Sequence, residues 1–387
     1  MKAFVIRADW TPKPEYKVSD WEKKERIAYR ANMVFKNPTW GVEDFPDPKI
    51  GPDEVLVKVK ACGVCGSDVH MLRKEKDSDY IYFGGWAGFP AIIGHEWAGV
   101  VAEVGKDVNS ISVGNLVTAE EVQWCGGCDV CRAGWLNLCK NVTQLGFETR
   151  NPGAMAEYIK VKEKYAWKLD ALKDAYSNEN DILEAGSLVE PTSVAYEGIF
   201  TVAGGLRMPG GHAAVFGTGP IGLASIQLLK TGGAAKIIAF EPMKFRAELA
   251  KKMGADYVFD PTQVDPVKTM KELTRGQGCA MLVEAAGLPS VTIPIMVQSV
   301  APAGKIVQIG MGADRPALDA LAVQYAESSI YGSMGHSGHG DFGNVISLMG
   351  ARRINVLPAI TARYSLKETA TAIENADKGN AKVTVKL

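Results

Sequence analysis

The sequence predicts an α/β protein of two domains, one β-rich and one a doubly wound parallel sheet with alternating helices. Three observations carry this. A chain of 387 residues, 47% apolar and 22% charged, is too long for one compact core. Its first half has short runs that alternate apolar and polar residues between glycine turns, the period of strands with one buried face. Its second half repeats apolar strand-like runs and helix-forming text around glycine-rich turns, as parallel strands with crossover helices require. The β-rich domain is placed at 1–190 and 333–387, with a cysteine-bearing lobe at about 121–143, and the doubly wound domain at 191–332.

The 43 basic side chains nearly balance the 44 acidic ones, so net charge provides no attraction to nucleic acid or an anionic membrane. No run approaches the length of a membrane-spanning helix, and the start MKAFVIRADW is too short and polar for a signal peptide. The expectation is a cytoplasmic protein acting on a small molecule. The seven cysteines argue against a disulfide framework, because four crowd into fifteen residues and Cys65 sits among potential metal ligands. Cys279 lies in apolar text as an ordinary buried thiol, and Cys62 stands undecided beside Cys65.

Residues 2–7 read as a strand. The segment 11–40 carries the charged cluster WEKKERIAYR, readable as a short helix, and Trp21, Tyr29 and Trp40 as surface anchors or a subunit contact. EVLVKVKACGV alternates as a strand and runs into CGVCGSDVH at 62–70. With GHE at 94–96 it supplies Cys65, His95 and Glu96, a thiolate, imidazole and carboxylate of the kind that suits zinc. Ser67, Asp68 and His70 place a hydroxyl, a carboxylate and a base within a turn of Cys65, a set suited to handling a proton. The connection 72–93 is charged, then aromatic and glycine-rich, a candidate wall for a substrate pocket or a surface loop pinned by its rings. After barrel-like strands comes CGGCDVCRAGWLNLC, with Cys125, Cys128, Cys131 and Cys139 spaced to enclose one tetrahedral zinc and leave no position open. An iron–sulfur centre shares part of the spacing, but no proline follows the last cysteine.

Residues 153–166 return to strand text, and 181–199 reads as one helix rich in small and apolar residues. Glu190 stands on that apolar face, where a carboxylate needs either a cation or a metal. The segment HAAVFGTGPIGLASIQLLKTGGAAKIIAFEP then places Gly217, Gly219 and Gly222 at G-x-G-x-x-G spacing, with Pro220 and Ile221 between, after a strand and opening a helix. This is a seat for a dinucleotide pyrophosphate at a helix start. Glu241, nineteen residues beyond Gly222, suits the ribose hydroxyls and repels a 2′-phosphate, favouring NAD, while Arg246 leaves room for NADP. Further strands end at Gly254, Gly287 and Gly310, the last also assigned to the cofactor seat. His336 and His339 lie in glycine-rich text, either bordering nicotinamide or substrate or facing solvent. A final helix and the strand KVTVKL are assigned back to the first domain.

These motifs occur in this order in the zinc-dependent medium-chain dehydrogenases, and the chain resembles that family over almost its whole length through CGVCGSDVH, GHE, the four-cysteine run, LVEP and GTGPIG. Within the family it is similar to the polyol dehydrogenase branch and, most narrowly, to bacterial scyllo-inosose dehydrogenases of inositol catabolism. The resemblance implies a GroES-like catalytic domain and a Rossmann domain, one catalytic and one structural zinc, NAD, and a homodimer or homotetramer. It implies hydride transfer between nicotinamide and a secondary alcohol of a cyclitol, with an acyclic sorbitol-like polyol or sugar as the alternative. On matching positions it implies that Cys65, His95 and Glu190 surround the catalytic zinc, with Glu96 beside it and able to enter the shell. Ser67 would stand next to the substrate hydroxyl, His70 at the far end of a proton relay, and Asp68 behind a zinc-binding histidine. Alcohol dehydrogenases carry a cysteine where this chain has Glu190. The extra sequence at 11–40 and 72–93 sets this chain apart from short-looped relatives.

Overall fold

The computed structural model describes residues 1–312, 315–336, 338–376 and 378–387. The chain divides into two compact units, Met1–Glu190 with Ile360–Lys378 and Lys382–Leu387, and Pro191–Ala359 with Gly379–Ala381. The expected return to the first unit at 333 therefore comes later, at Ile360. Local hydrogen bonds explain the shift. Asp341, at the start of the helix Asp341–Gly350, accepts from Thr201 Oγ1 at 2.8 Å, and beyond that helix Asn355 exchanges two bonds with Gln227, at 2.7 and 3.0 Å.

The first unit is built on a seven-stranded sheet. Across it run Ala166–Lys168, Leu116–Ala119, Glu96–Val104, Glu54–Gly63, Lys382–Lys386 and Ile360–Ser365, and Tyr158–Lys162 adds to Glu54–Gly63. Alternation along Glu54–Gly63 buries Val55, Val57 and Val59 with Trp97 and Val101 of the neighbouring strand. A second sheet pairs Lys2–Trp10 with Phe35–Asp44 and Ala91–Ile92. The strand Phe35–Asp44 was hidden in sequence by Pro38 and Gly41, and its place at the sheet edge explains how it tolerates the proline. The charged cluster before it forms a helix of six residues, Asp20–Glu25, closed by a capping box between Ser19 and Glu22. The rings of Trp21, Tyr29 and Trp86 pack together beside it, at 5.2 to 5.6 Å between centroids.

The second unit is a six-stranded parallel sheet in the order Tyr257–Phe259, Lys236–Phe240, His212–Phe216, Cys279–Glu284, Val300–Gln308, Ser329–Gly332. Its inner strands Lys236–Phe240, His212–Phe216 and Cys279–Glu284 are apolar and mostly buried, as a sheet covered on both faces demands. The stretch read as one helix over 181–199 is three pieces: Glu179–Ser187, Val189–Tyr196 and a π-helical turn Glu197–Val202. Periodicity misses this because every piece is rich in small apolar residues. Among the described residues no helix is long and apolar enough to cross a membrane.

The helix Pro220–Thr231 follows the glycine turn so closely that a Cβ on Gly222 would lie 1.9 Å from the Gly217 carbonyl oxygen. Gly222→Ala is therefore expected to push the helix off the sheet and cost about 1–3 kcal/mol, as overpacking does. Thermal melting should register the loss, and an unchanged Tm would contradict the packing described.

Candidate active site

Two antiparallel strands bring the distant motifs together. Their register sets Gly63 opposite Glu96 and Cys62 opposite Trp97. Cys65, two residues past one strand's end, and His95, one residue before the other's start, thus arrive side by side. Gly63 has to be glycine, since a Cβ there would sit 2.2 Å from Glu96 Oε2. The helix Gly66–Leu72 then carries Ser67, Asp68 and His70, and the Cys65 amide donates to Asp68 Oδ2 at 2.9 Å.

One donor atom each from Cys65, His95 and Glu96 lies within 4.8 Å of the others. His95 and Glu96 are buried and Cys65 is half-buried. The surroundings favour a cation. Burial opposes a charge on His95, but Cys65, Asp68 and Glu190 outweigh it and hold the imidazole well above its usual range. His95 Nδ1 and Ser67 Oγ are buried polar atoms without a hydrogen-bond partner among the described residues. Glu190 is close enough to act on His95 and Glu96 electrostatically, and a carboxylate oxygen of it also lies within 4.8 Å of one of Glu121. The resemblance implies Glu190 in the ligand set with Glu96 beside it, and both carboxylates act on His95 or neighbour it here.

The residue that sequence reading missed is Lys382. Buried in the last strand, it donates through Nζ to Glu96 Oε1 at 2.7 Å, to Glu96 Oε2, and to the Val64 carbonyl at 3.0 Å. Burial opposes its charge, but Glu96 and Cys65 more than offset this and raise its pKa above the usual lysine value. A lysine within KVTVKL reads as a solvated strand residue, and only the fold shows it facing inward. Burial, with Asp68 and Glu96, lifts the Cys62 thiol well above its usual range, which resolves it as a neutral core group.

Aromatic rings enclose this centre. Phe147 stacks on His95 with centroids 5.0 Å apart, Phe83 stacks on Phe147 at 5.5 Å, and Tyr82 meets His70 edge-on at 5.0 Å. Tyr82 and Phe83 belong to the 72–93 connection, which is anchored by Tyr82 N to Arg73 O at 2.8 Å and by Ile81 N to Phe35 O at 3.1 Å. The connection is thus a packed part of the site's surroundings.

Cys125, Cys128, Cys131 and Cys139 gather their sulfurs within 4.8 Å. Backbone amides already point at them: Cys128 N to Cys125 Sγ at 3.4 Å, Cys131 N to Cys128 Sγ at 3.5 Å, and Cys125 N and Asn141 N to Cys139 Sγ at 3.3 Å. The Cys128 and Gly127 amides draw Cys125 down to about 6, favouring the thiolate that a metal requires. The donor set is complete and suits a structural zinc.

In the second unit Gly217, Gly219, Pro220, Ile221 and Gly222 form the turn into a helix, with Gly217 at φ +82°. Glu241 follows the next strand and accepts from Thr218 N at 2.9 Å, Thr218 Oγ1 at 3.1 Å and Met243 N at 3.0 Å, so the acid is bound into the glycine turn. Arg246 is held by the Asn380 carbonyl through Nε at 2.9 Å. His336 is buried with its ring 4.9 Å from Phe342, which removes the solvent-facing reading for it, while His339 is exposed at φ +50°.

Residues 51–171 match the alcohol dehydrogenase GroES-like domain and residues 220–351 the zinc-binding dehydrogenase domain. The chain belongs to the zinc-dependent alcohol dehydrogenase family. It is 40% identical to a scyllo-inosose 3-dehydrogenase of Thermotoga maritima, over 100% of this chain and 99% of that protein. It is 36% identical to an L-threonine 3-dehydrogenase of Caldanaerobacter subterraneus, over 86% and 90% of the two chains. A solved structure from Thermotoga maritima, provisionally called an alcohol dehydrogenase, superposes with a TM-score of 0.95 at 38% identity, covering all of both chains. The family makes this protein an oxidoreductase that uses zinc and a nicotinamide cofactor, and its architecture is a GroES-like domain with a Rossmann domain.

Removing one partner of the buried Glu96–Lys382 pair leaves an uncompensated charge, so Lys382→Met is expected to cost about 3–5 kcal/mol. Urea unfolding measures this, and adding Glu96→Gln to Lys382→Met should recover most of the loss. Equal stability of Lys382→Met and the native protein would contradict the pairing.

Proposed function

We propose that the protein is a zinc- and NAD-dependent dehydrogenase that interconverts a secondary alcohol of a cyclitol and its ketone, with scyllo-inosose or a related inositol derivative as substrate. The observation that carries this is the 40% identity to a scyllo-inosose 3-dehydrogenase across the full length, including both extra segments at 11–40 and 72–93. The donor set agrees with it. Zinc held by Cys65, His95 and Glu190, with Glu96 beside it and able to enter the shell, would polarise a substrate hydroxyl, and a bound nicotinamide would exchange hydride with the carbon that carries it.

The chain's own residues do the rest. In this reading Ser67 takes the hydroxyl proton as it hands on its own, and His70, on the same helix, delivers a proton outward; Ser67 Oγ, buried and unpartnered among the described residues, supports it. Glu190 and Asp68 supply negative charge that steadies His95 and the cation. A polyhydroxylated ring has polar edges and C–H faces, and the rings of Tyr82, Phe83 and Phe147 suit those faces while the carboxylates suit the hydroxyls. Glu241, at the ribose position and tied to Thr218, supports NAD over NADP. Arg246 donates through Nε to the Asn380 carbonyl.

Initial rates with NADH and NADPH on scyllo-inosose in the reducing direction, and with NAD and NADP on scyllo-inosose, myo-inositol, sorbitol, threitol and threonine in the oxidising direction, test the reading. Turnover of a cyclitol, preferring the unphosphorylated cofactor, is expected. Turnover of sorbitol or threitol alone establishes an acyclic polyol enzyme instead, and no cyclitol turnover sinks the proposal. Cys65→Ala and His95→Ala should each lower kcat/KM by at least about a thousandfold, the scale of losing metal-assisted charge stabilisation.

A further inference from the structure

Glu284 ends the strand Cys279–Glu284, in register with Phe216 on one side and Gln308 on the other. It is fully buried, and nothing in the reading above uses it. A carboxyl group at such a position is costly unless it organises its surroundings. Its Oε1 accepts from Ala286 N at 3.1 Å and Leu288 N at 3.2 Å. Its main-chain carbonyl accepts from Ile309 N at 3.0 Å and Gly310 N at 2.9 Å. Its Oε2 has no hydrogen-bond partner among the described residues and lies against Gly310, where a Cβ would come within 2.3 Å of it.

Three strand-end turns meet around this side chain. A Cβ on Gly217 would stand 2.7 Å from Ala286 Cα, and one on Gly310 would stand 2.5 Å from Gly287 N. The location matters more than the crowding. From His212–Phe216 the chain builds the sheet outward on one side through Lys236–Phe240 and Tyr257–Phe259. It then crosses to the other side at Cys279–Glu284. Ligands of open parallel sheets bind outside the carboxyl ends of the strands at such a reversal, and Glu284 is the last residue of the strand that borders it. Burial raises its carboxyl group above the usual range, and the amides of Leu288 and Ala286 oppose that rise.

We infer that Glu284 is a positioning residue for the nicotinamide cofactor, holding the 286–288 turn against Gly217 and Gly310 so that the three turns form one fixed seat. It acts through backbone it binds and does not touch the cofactor. The inference rests on the family's nicotinamide cofactor alone and is independent of which alcohol is oxidised.

The test is a fluorescence titration of the full-length, zinc-loaded enzyme with NADH and with NADPH, using Glu284→Ala, Glu284→Asp and Glu284→Gln, with zinc content and Tm measured alongside. Alanine removes the acceptor for two buried amides and aspartate is too short to reach both, so each should raise the Kd for the preferred nucleotide by at least about tenfold. Glutamine keeps the acceptor and the volume and should stay within about threefold of the native protein. If Glu284→Ala lowers Tm but binds nucleotide normally, the residue is merely structural and the inference is overturned. Should the alanine variant not fold, the comparison of Glu284→Asp with Glu284→Gln decides alone, and equal affinities overturn it.

Discussion

The buried pair between Glu96 and Lys382 is the constraint on which the first unit depends. Glu96 begins one central strand, and Lys382 begins the strand that returns from the chain's other end to pair with Glu54–Gly63. Their contact, the missing side chain at Gly63 and the register of the three strands are one arrangement, because any slip would bury a charge alone. Such a pair adds little net stability compared with an apolar core. Its effect is to make a single geometry acceptable, and that geometry sets Cys65 beside His95.

The two cysteine-bearing centres differ in chemistry and in placement. The lobe offers four thiolates, closed around one position and supported by amides pointing at sulfur, so its metal has nothing left to bind. The Cys65 centre offers one thiolate, an imidazole and the carboxylate of Glu96, with the charge of Glu190 acting on His95. We read the second centre as the place where substrate chemistry occurs, with Lys382 restraining the carboxylate that is nearest. The aromatic rings of the 72–93 connection pack beside it, Tyr82 against His70 and Phe83 against Phe147.

Much of this was legible in the sequence. The strand Glu54–Gly63, the four-cysteine lobe, the glycine turn at 217–222 and the alternation of the parallel sheet follow from short-range pattern, which survives folding unchanged. What stayed hidden depends on distant residues. Lys382 looks solvated until the last strand is known to lie against Glu54–Gly63. Glu284 looks like any strand residue until the turns that converge on it are known, and Glu190 and Glu121, which come together, are far apart along the chain. The strand Phe35–Asp44 escaped because Pro38 argues against a strand unless its edge position is known. The domain return at Ile360 escaped because side-chain bonds to Asp341 and Gln227, rather than composition, hold 333–359 in the second unit.

Zinc-edge X-ray absorption on the fully loaded enzyme, with metal content per chain, tests the central claim most directly. The account predicts two zinc ions per chain sharing five thiolate sulfurs, four in the lobe and Cys65 alone in the other centre, whose remaining ligands are nitrogen and oxygen. A single zinc held by the lobe, or a sixth sulfur from Cys62 at the second centre, would contradict it.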